Sequence, residues 1–308
     1  MQGSPVFKSR FLPWLLLLPS ILILLFFSYY PAIQSFVASL YRTNLLLGTR
    51  RFIGFENFVA LFTGPFAPAY RQVLAQSLLF SACVVVFGLA ISLFLAVLAN
   101  QPIRGARVYR LLLIWPFALS PAIAGVVFSF MFNPEVGLVN QILSATLGIK
   151  PRWLDTPVLA FALVVSAAIW KNIGYNIVFY LAALQNIPRE LSEAAEIDGA
   201  NPVQRFFAIT FPMLSPMTFF LLFTNLTYSF FDTFGLIDVL TKGGPIGPEP
   251  FNNAGLTTNL AYKLVQDGFL GSANLGVAAT QSIVLLFIVV IFTTLQFRYG
   301  NRNVHYGG

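Results

Sequence analysis

Residues 190–207, "ELSEAAEIDGANPVQRFF", place four acidic residues within nine positions of a chain that has only eleven acidic residues in 308. The stretch lies between two long apolar runs. Gly199 stands where a helix commonly needs a left-handed C-terminal cap. Asn201 and Pro202 are suited to the N-cap and the first position of a second short helix, which Pro212 is predicted to end. The pattern therefore predicts an acidic helix, a turn and a second short helix.

The chemistry of the first of these helices suits a docking surface. Ala194 and Ala195 permit another surface to approach closely, while Glu190, Glu193 and Glu196 offer negative charge to a basic partner. The alternative is an amphipathic hairpin that lies on the bilayer. Such helices are usually rich in Lys and Arg on their polar face, and the cytoplasmic leaflet is itself negative. An acidic helix is therefore better suited to docking than to lying on lipid.

The composition predicts an all-α integral membrane protein. The chain is 57% hydrophobic and 9% charged, whereas about a quarter of a soluble domain is charged. The apolar runs long enough to cross a bilayer cover residues 12–30, 73–99, 111–131, 158–184, 213–237 and 275–297. The first run follows Lys8 and Arg10 but is too long for a signal peptide and lacks a small-residue cleavage site. We expect one transmembrane domain over residues 1–308, with six transmembrane helices.

The remaining composition excludes several classes of function. The net charge is +7, but the basic residues are scattered and form no run, which argues against nucleic-acid binding. Cys83 and His305 are the only residues of their types. Neither a disulfide nor a Cys/His metal site can therefore form within the chain.

The distribution of basic residues bears on orientation. Six spans place both termini on the same side. If that side is cytoplasmic, the inner segments hold nine basic residues and the outer segments hold eight, which does not decide the matter. However, Arg104, Arg107 and Arg110 crowd into a single short inner connection. Their density favours cytoplasmic termini.

Residues 193–216, "EAAEIDGANPVQRFFAITFPMLSP", resemble the EAA loop of permease subunits in bacterial ATP-binding cassette (ABC) importers. Phe211 departs from the usual Leu. The resemblance implies a type I ABC importer permease fold, with a coupling loop at residues 187–216 whose coupling helix inserts into a cleft on a cytoplasmic ATPase. This places the loop and both termini in the cytoplasm. The residues implied in ATPase coupling are Glu190, Glu193, Ala194, Ala195, Asp198, Gly199, Ala200 and Arg205.

Further stretches resemble permeases of carbohydrate importers, and within these the first permease subunits of glycerol-3-phosphate importers. They include "FIGFENFVALF" from Phe52 and "SFFDTFGLIDVLTKGGP" from Ser229. The resemblance implies a second, related permease, an ATPase dimer that holds ATP and Mg, an external solute-binding protein and a bacterial inner-membrane location. The implied solute is glycerol-3-phosphate or its diesters. A neutral disaccharide or a glycosyl osmolyte such as glucosylglycerol is the alternative.

A lysine lies near the middle of the fourth apolar run. Lys171 precedes Asn186 by 15 residues, which is about 22 Å along a helix. Ionisable residues at this depth usually face a cavity or a partner charge. Two interpretations remain open: Lys171 forms a packing pair with Asp232, or its ammonium group lines the solute pathway.

Polar residues form stripes on the fourth and fifth runs. Such stripes must face protein or water rather than lipid. They indicate either interhelical hydrogen bonds or contacts with a solute. With Lys171, the candidate pathway residues are Asn172, Tyr175, Asn176, Asn225, Tyr228, Ser229 and Asp232.

Two further features concern conformation and partners. Trp115, Pro116 and Pro121 predict a broken or kinked third span, which serves either packing or gating. The outer segment 238–273 is rich in Gly and Pro and is a candidate contact for the solute-binding protein.

Rival classes of protein have little support in the sequence. There is no Gly-rich loop ending in Gly-Lys-Ser/Thr, so we expect the ATPase to be another polypeptide and this chain not to be an enzyme. A secondary carrier would couple to ions through carboxylates in the membrane, for which Asp232 is the only clear candidate, and no inverted repeat is evident. A membrane enzyme would need a constellation of catalytic groups that a chain with one His and one Cys does not offer. Alternating access driven by ATP is the predicted mechanism.

Overall fold

The computed structural model describes residues 11–44, 48–101, 105–271 and 273–303, which are mostly helical. Within these residues, four helices are long and apolar enough to cross a membrane: Leu12–Ser39, Ala67–Ala99, Pro157–Gln185 and Leu275–Arg298. Two more segments qualify as bent pairs, Val108–Ala118 with Pro121–Met131 and Pro202–Met213 with Ser215–Phe231. Counting each pair as one span gives six, in agreement with the six predicted runs.

Short turns interrupt several of these helices, and one two-stranded hairpin accompanies them. The π-turns are Leu25–Tyr29, Phe206–Thr210 and Gln266–Leu270, and a 3-10 turn covers Trp115–Ala118. The α-helices are α1 (Leu12–Leu24), α2 (Tyr30–Ser39), α3 (Glu56–Thr63), α4 (Ala67–Ala99), α5 (Ala106–Ile114), α6 (Pro121–Met131), α7 (Leu138–Leu147), α8 (Pro157–Gln185), α9 (Arg189–Ile197), α10 (Pro202–Arg205), α11 (Phe211–Met213), α12 (Ser215–Phe231), α13 (Phe234–Leu240), α14 (Leu260–Val265) and α15 (Leu275–Asn303). The strands are β1 (Tyr41–Asn44) and β2 (Thr49–Phe52), which pair antiparallel.

Contacts between Cα atoms divide the chain into two units, residues 1–64 with 264–284 and residues 65–263 with 285–308. The single domain over residues 1–308 stays a prediction. In the first unit, the buried Asn57 amide donates hydrogen bonds to the carbonyl oxygens of Ser39, at 2.7 Å, and Tyr41, at 3.0 Å. These bonds connect α3 to the start of the β hairpin. The sequence pattern did not predict this hairpin.

The second unit is built around α4 and α8. Apolar side chains of both helices form two buried clusters, one with α6 and α13 and one with Leu214 and Leu221. Gly174 on α8 permits close contact with the end of α5, because a Cβ atom there would lie 2.6 Å from the carbonyl oxygen of Ile114. Helix α8 is therefore the central element of this unit.

The predicted break in the third span is present. Its two helices meet at an angle of 106°, between the 3-10 turn and α6. Pro121 begins α6, and the Ser120 hydroxyl caps it by accepting a hydrogen bond from the Ile123 amide at 3.3 Å. A proline at the first position needs no amide donor, so the new helix starts there without loss.

The second short helix does not end at Pro212, contrary to the prediction. The helical path continues from α10 through the π-turn to α11 and bends by 67° before α12. Proline lacks an amide donor, and its ring clashes with the carbonyl four residues earlier. The wider π-turn, in which the Phe211 amide donates to the Phe206 carbonyl, lies just before Pro212 and relieves this conflict.

The fifth predicted run is not one continuous helix. Helix α12 ends at Phe231, Asp232 leaves helical geometry with φ −102° and ψ 16°, and α13 begins at Phe234. The Thr233 hydroxyl donates to the Ser229 carbonyl at 3.1 Å, which satisfies one of the acceptors left open at a helix end. Because the residues on both sides of this break are apolar, the hydropathy of the sequence does not indicate it.

Candidate functional site

None of the residues of helix α9 is buried, and all of them except the half-buried Ala195 are exposed. It ends in the predicted left-handed cap, with Gly199 at φ +83°. The Ala200 amide donates to the Ala195 carbonyl at 2.9 Å, and the Gly199 amide donates to the Glu196 carbonyl at 3.0 Å. These two bonds form a Schellman motif, so local hydrogen bonds fix the end of this helix.

The turn after α9 is fixed in the same local way. The Asn201 side chain accepts from the Gln204 amide, and the Gln204 side chain accepts from the Asn201 amide, both at 2.9 Å. This capping box starts α10 where the sequence predicts. Arg205 on α10 forms an ion pair with Glu196 on α9, which joins the two helices. We name residues 189–205 the coupling segment, after the role that the resemblance to the EAA loop implies.

All eight predicted coupling residues lie in the coupling segment. The structure adds exposed apolar side chains that were not predicted: Leu191 is 44% exposed, Val203 64% and Ile197 87%. An isoleucine in the last turn of an acidic helix was the signal available in the sequence. The coupling segment therefore presents both carboxylates and apolar groups on one exposed element.

Three asparagines form a buried cluster between α8 and α12. Asn172 and Asn176 donate to the Asn225 Oδ1 atom at 2.8 and 3.1 Å, and Asn225 donates to the Asn176 Oδ1 atom at 2.7 Å. Asn225 also donates to the carbonyl of Leu221 at 2.8 Å. The cluster thus joins the two helices by interhelical hydrogen bonds.

Ser229 extends this polar contact to α4. Its hydroxyl donates to the Ser81 hydroxyl at 2.8 Å, and Ser229 is 1% exposed. Asn176 and Asn225 are equally buried, at 1%. For these three candidate pathway residues the structure shows the interhelical alternative.

A cavity of about 330 Å³ lies beside this cluster. Four of the candidate pathway residues line it: Asn172, Tyr175, Tyr228 and Asp232. Four further residues line it that the polar stripes did not indicate: Phe117, Phe223, Thr224 and Thr227. We name this space the polar cavity, because residues with amide, hydroxyl and carboxylate groups are among those that line it, although its accessible surface is mostly apolar.

Lys171 does not line the polar cavity but lies behind it. The residue is 5% exposed, and its Nζ atom is 3.4 Å from the Asp232 Oδ2 atom. Nζ also lies 5.3 Å from the centre of the Phe117 ring and 5.0 Å from that of the Tyr228 ring. The cation is therefore held by a carboxylate and two aromatic faces, which is the ion-pair alternative.

A second, larger cavity of about 780 Å³ lies between α4, α12 and α15. Its lining consists mainly of aliphatic and phenyl groups, such as Val86, Leu222 and Phe292. The smaller cavity is the better candidate for a solute site, because four of the candidate pathway residues line it. Within the described parts of the chain, no group of three or more His, Cys, Asp or Glu residues is arranged to hold a metal ion.

Comparison with known proteins identifies the family. The family model for the inner membrane component of binding-protein-dependent transport systems matches residues 88–302. The chain belongs to this family. The match runs from the second half of α4 almost to the end of α15, and it includes the coupling segment and the polar cavity.

Curated relatives match the whole length of the chain. An sn-glycerol-3-phosphate transport system permease protein UgpA of Pectobacterium atrosepticum is 44% identical over 305 residues, 99% of each chain. The proteins of the same name from Escherichia coli O157:H7 and Salmonella typhimurium are 43% identical over 305 residues. The predicted resemblance to permeases of ABC importers is confirmed.

Two solved structures have the same fold. A chain of a bacterial alginate ABC transporter, in complex with an alginate-bound periplasmic protein, matches with a TM-score of 0.81 at 24% identity, over 98% of each chain. A chain of a bacterial ABC transporter that imports the acidic polysaccharide alginate matches with a TM-score of 0.76 at 25% identity, over 94% of this chain and 96% of that one. The predicted type I ABC importer permease fold is confirmed. The chain is an inner-membrane component of a transport system.

Proposed function

We propose that this chain is the permease subunit through which an ATPase drives import of a small polyhydroxylated solute by alternating access. The observation that carries the proposal is the position of the coupling segment. Helix α9 begins at Arg189, and α8, which carries two residues of the polar cavity, ends at Gln185. A displacement of the exposed α9 is therefore transmitted through a very short connection to the helix that forms the cavity wall.

The proposal includes partners that supply what this chain does not hold. ATP and Mg bind to a cytoplasmic ATPase dimer, which receives the coupling segment, and this chain itself catalyses no reaction. A second, related permease completes the pathway. An external solute-binding protein delivers the solute, as the family description implies. Both termini lie in the cytoplasm, on the side of the coupling segment.

Glycerol-3-phosphate or one of its diesters is the first candidate for the solute. Its support is the name of relatives that are 43–44% identical along the whole chain. A neutral glycoside is the second candidate, and a specific observation favours it. None of the described residues that line the polar cavity is basic, so the cavity offers a phosphate no cation of its own.

The test is solute-stimulated ATP hydrolysis by the complete complex, reconstituted with its binding protein. Glycerol-3-phosphate and its diesters are compared with neutral disaccharides and glucosylglycerol, and the same complex without binding protein is the control. Stimulation by the phosphates alone supports the first candidate, and stimulation by a neutral glycoside supports the second. Hydrolysis that no solute stimulates, together with absent uptake, would contradict the importer function.

A further inference from the structure

The hairpin of β1 and β2 carries two arginines that stand directly opposite each other. Arg42 and Arg51 are partners in the register of the two strands, so their side chains leave the same face of the hairpin. Both residues are exposed. Like charges that are directly opposite destabilise a strand pair. This face is therefore suited to an anion that contacts both guanidinium groups.

The chain itself does little to offset these two charges. Residues 41–56 contain three arginines and one acidic residue, Glu56. The Glu56 carboxylate lies 3.8 Å from the Arg42 guanidinium group, and both side chains are more than half exposed, so this ion pair contributes little. Among the described residues, none forms an ion pair with Arg51. The Arg42–Arg51 face thus has an excess of cationic donors.

The third arginine of the hairpin has different surroundings. Arg50 lies on the opposite face, where its guanidinium carbon is 4.2 Å from the centre of the Tyr41 ring. The Tyr41 ring in turn contacts Phe52 edge to face, with 5.3 Å between the ring centres. A guanidinium group over an aromatic ring is stabilised without an anion. Arg50 is therefore a natural comparison for Arg51.

Buried contacts fix the base of the hairpin against α3 and the start of α15. The Asn57 amide donates to the carbonyls of Ser39 and Tyr41. The Thr280 hydroxyl of α15 lies 3.4 Å from the same Ser39 carbonyl. A Cβ atom at Gly276 would lie only 1.9 Å from the Tyr41 carbonyl oxygen, so β1 packs directly on α15. The strands that carry the two arginines are therefore positioned before any ligand binds.

The position of the hairpin favours a lipid headgroup as the source of the anion. The helical segment before it, Leu12–Ser39, has 28 residues, or about 42 Å of helix. This length matches a bilayer with its headgroup regions, about 40–45 Å. Strand β1 begins at Tyr41, so the hairpin lies at headgroup level. Tyrosine is enriched at this level in membrane proteins.

The residues between the two strands also have a composition that favours lipid. Residues 45–47, which lie outside the described part of the chain, are all leucine. Hairpin connections in water are usually built from Gly, Asn and Asp. Leucine is one of the residues that interfacial segments bury at the boundary between headgroups and acyl chains. A lipid surface therefore fits this sequence better than an aqueous protein surface.

We infer that the Arg42–Arg51 face binds the phosphate group of an anionic phospholipid at the membrane surface. Guanidinium groups match phosphate oxygens with paired donors. A phosphate between the two arginines would also remove the unfavourable contact of like charges. With both termini in the cytoplasm, as proposed, the lipid belongs to the outer leaflet. This contact fixes the hairpin at headgroup level and is independent of the transported solute.

The test measures which phospholipid lies beside this face in the complete complex. A fluorophore is attached at Thr49→Cys, and the other accessible cysteines of the complex are replaced. Thr49 is exposed and lies two residues before Arg51, on the same face. The complex is placed in phosphatidylcholine nanodiscs that contain a small fraction of nitroxide-labelled phosphatidylglycerol or, in parallel, of nitroxide-labelled phosphatidylcholine. Stronger quenching by the labelled phosphatidylglycerol reports preferential binding of the anionic lipid.

Arg51→Gln and Arg50→Gln form a matched pair, because each removes one arginine of the same strand but from opposite faces. We expect Arg51→Gln to lower the preference for phosphatidylglycerol about tenfold, as for loss of a hydrogen bond to a charged group. Arg50→Gln should lower it less than threefold, since it removes only a longer-range attraction that salt screens. Excess inorganic phosphate should leave the preference unchanged, because the bilayer keeps the lipid at a high local concentration.

Several outcomes would overturn the lipid site while the importer function stands. Equal quenching by the two labelled lipids in the wild type would show no preference for an anionic lipid. Equal losses in the two variants would show nonspecific attraction of charge. Displacement by inorganic phosphate would assign the face to a soluble anion, and shielding of the fluorophore by the solute-binding protein instead of lipid would assign it to a protein contact.

A second variant covers the case in which Arg51→Gln does not assemble. Arg51→Lys keeps the positive charge but loses the paired donors of the guanidinium group. We expect it to lower the preference for phosphatidylglycerol about threefold. An unchanged preference in this variant would count against a phosphate held by the two arginines.

Discussion

Helices α8 and α9 are separated by three residues, 186–188, yet they hold their polar side chains in opposite ways. On α8, Lys171, Asn172 and Asn176 are buried, and each has a partner on another element. Helix α9 is rich in carboxylates, and none of its side chains is buried. The difference shows two ways in which a membrane protein can stabilise polar residues.

The stability of the two helices has correspondingly different sources. Packing against α4 and hydrogen bonds to α12 hold α8, so its polar residues are constrained from several sides. A helix of nine residues such as α9 is marginal on its own. Here the Schellman motif fixes its C-terminal end, and the capping box of α10 and the Glu196–Arg205 ion pair hold the turn that follows. Helix α9 thereby keeps its exposed side chains available for a partner.

Asn225→Leu is expected to have the largest effect on stability, because it removes the centre of the buried cluster. Asn172 and Asn176 would lose their shared acceptor, and Asn176 would also lose a donor. Interhelical hydrogen bonds contribute about 0.6 kcal/mol each on average in membranes, and unsatisfied donors cost more. We expect a loss of about 2 to 4 kcal/mol in the free energy of unfolding, measured by SDS-induced unfolding.

Ser166→Ala is the matched control for this variant. Ser166 also lies on α8, but it is exposed and its hydroxyl donates to the carbonyl of Ala162 in its own helix. Its loss should change stability by less than about 0.5 kcal/mol. An equal effect of the two substitutions would show that the asparagine cluster does not join α8 to α12.

The turn within the coupling segment could be predicted from its residues, and the lining of the cavity only in part. Caps are set by neighbours in the chain, so Gly199, Asn201 and Pro202 indicated a turn that the structure confirms. The polar stripes indicated which faces of α8 and α12 avoid lipid. They could not separate Asn225, which bonds to another helix, from Asp232, which lines the cavity, because that depends on which residue lies opposite.

The helix breaks likewise include one that the sequence predicted and one that it did not. Pro116 and Pro121 predicted the bend in the third span, because a proline disturbs a helix through its own backbone. The end of α12 at Phe231 was missed because it depends on tertiary contacts, among them the hydrogen bond from Asn259 to the Thr233 hydroxyl at 2.7 Å. Structure that depends on neighbouring residues can be predicted from the sequence, whereas contacts between residues distant in the chain cannot.

Gly199→Val is expected to have an intermediate effect on stability and a large effect on coupling. A β-branched residue at φ +83° costs about 1 to 2 kcal/mol, and here the strain falls on the cap that directs α9. We expect solute-stimulated ATP hydrolysis to be lost or reduced at least tenfold, because a tilted coupling segment no longer fits its partner.

Gly148→Val provides the matched control for this glycine. Gly148 also follows a short helix, at φ +69°, and like Gly199 it has no neighbouring atoms within 4 Å of a Cβ position. The backbone strain is therefore similar, but it lies at the end of α7, outside the coupling segment. Equal loss of coupling in both variants would attribute the effect to general destabilisation and contradict the role of α9.

Ile197→Ser is expected to have the smallest effect on the stability of the isolated chain. The side chain is 87% exposed, so its removal should change the free energy of unfolding by less than about 0.5 kcal/mol. If α9 docks into the ATPase, however, Ile197 becomes buried there, and its truncation should weaken assembly about tenfold, measured by titration of the permease complex with ATPase.

Val136→Ser is the control, because Val136 is 68% exposed and lies outside the coupling segment. Equal ATPase affinity in the two variants would mean that α9 docks through its carboxylates alone.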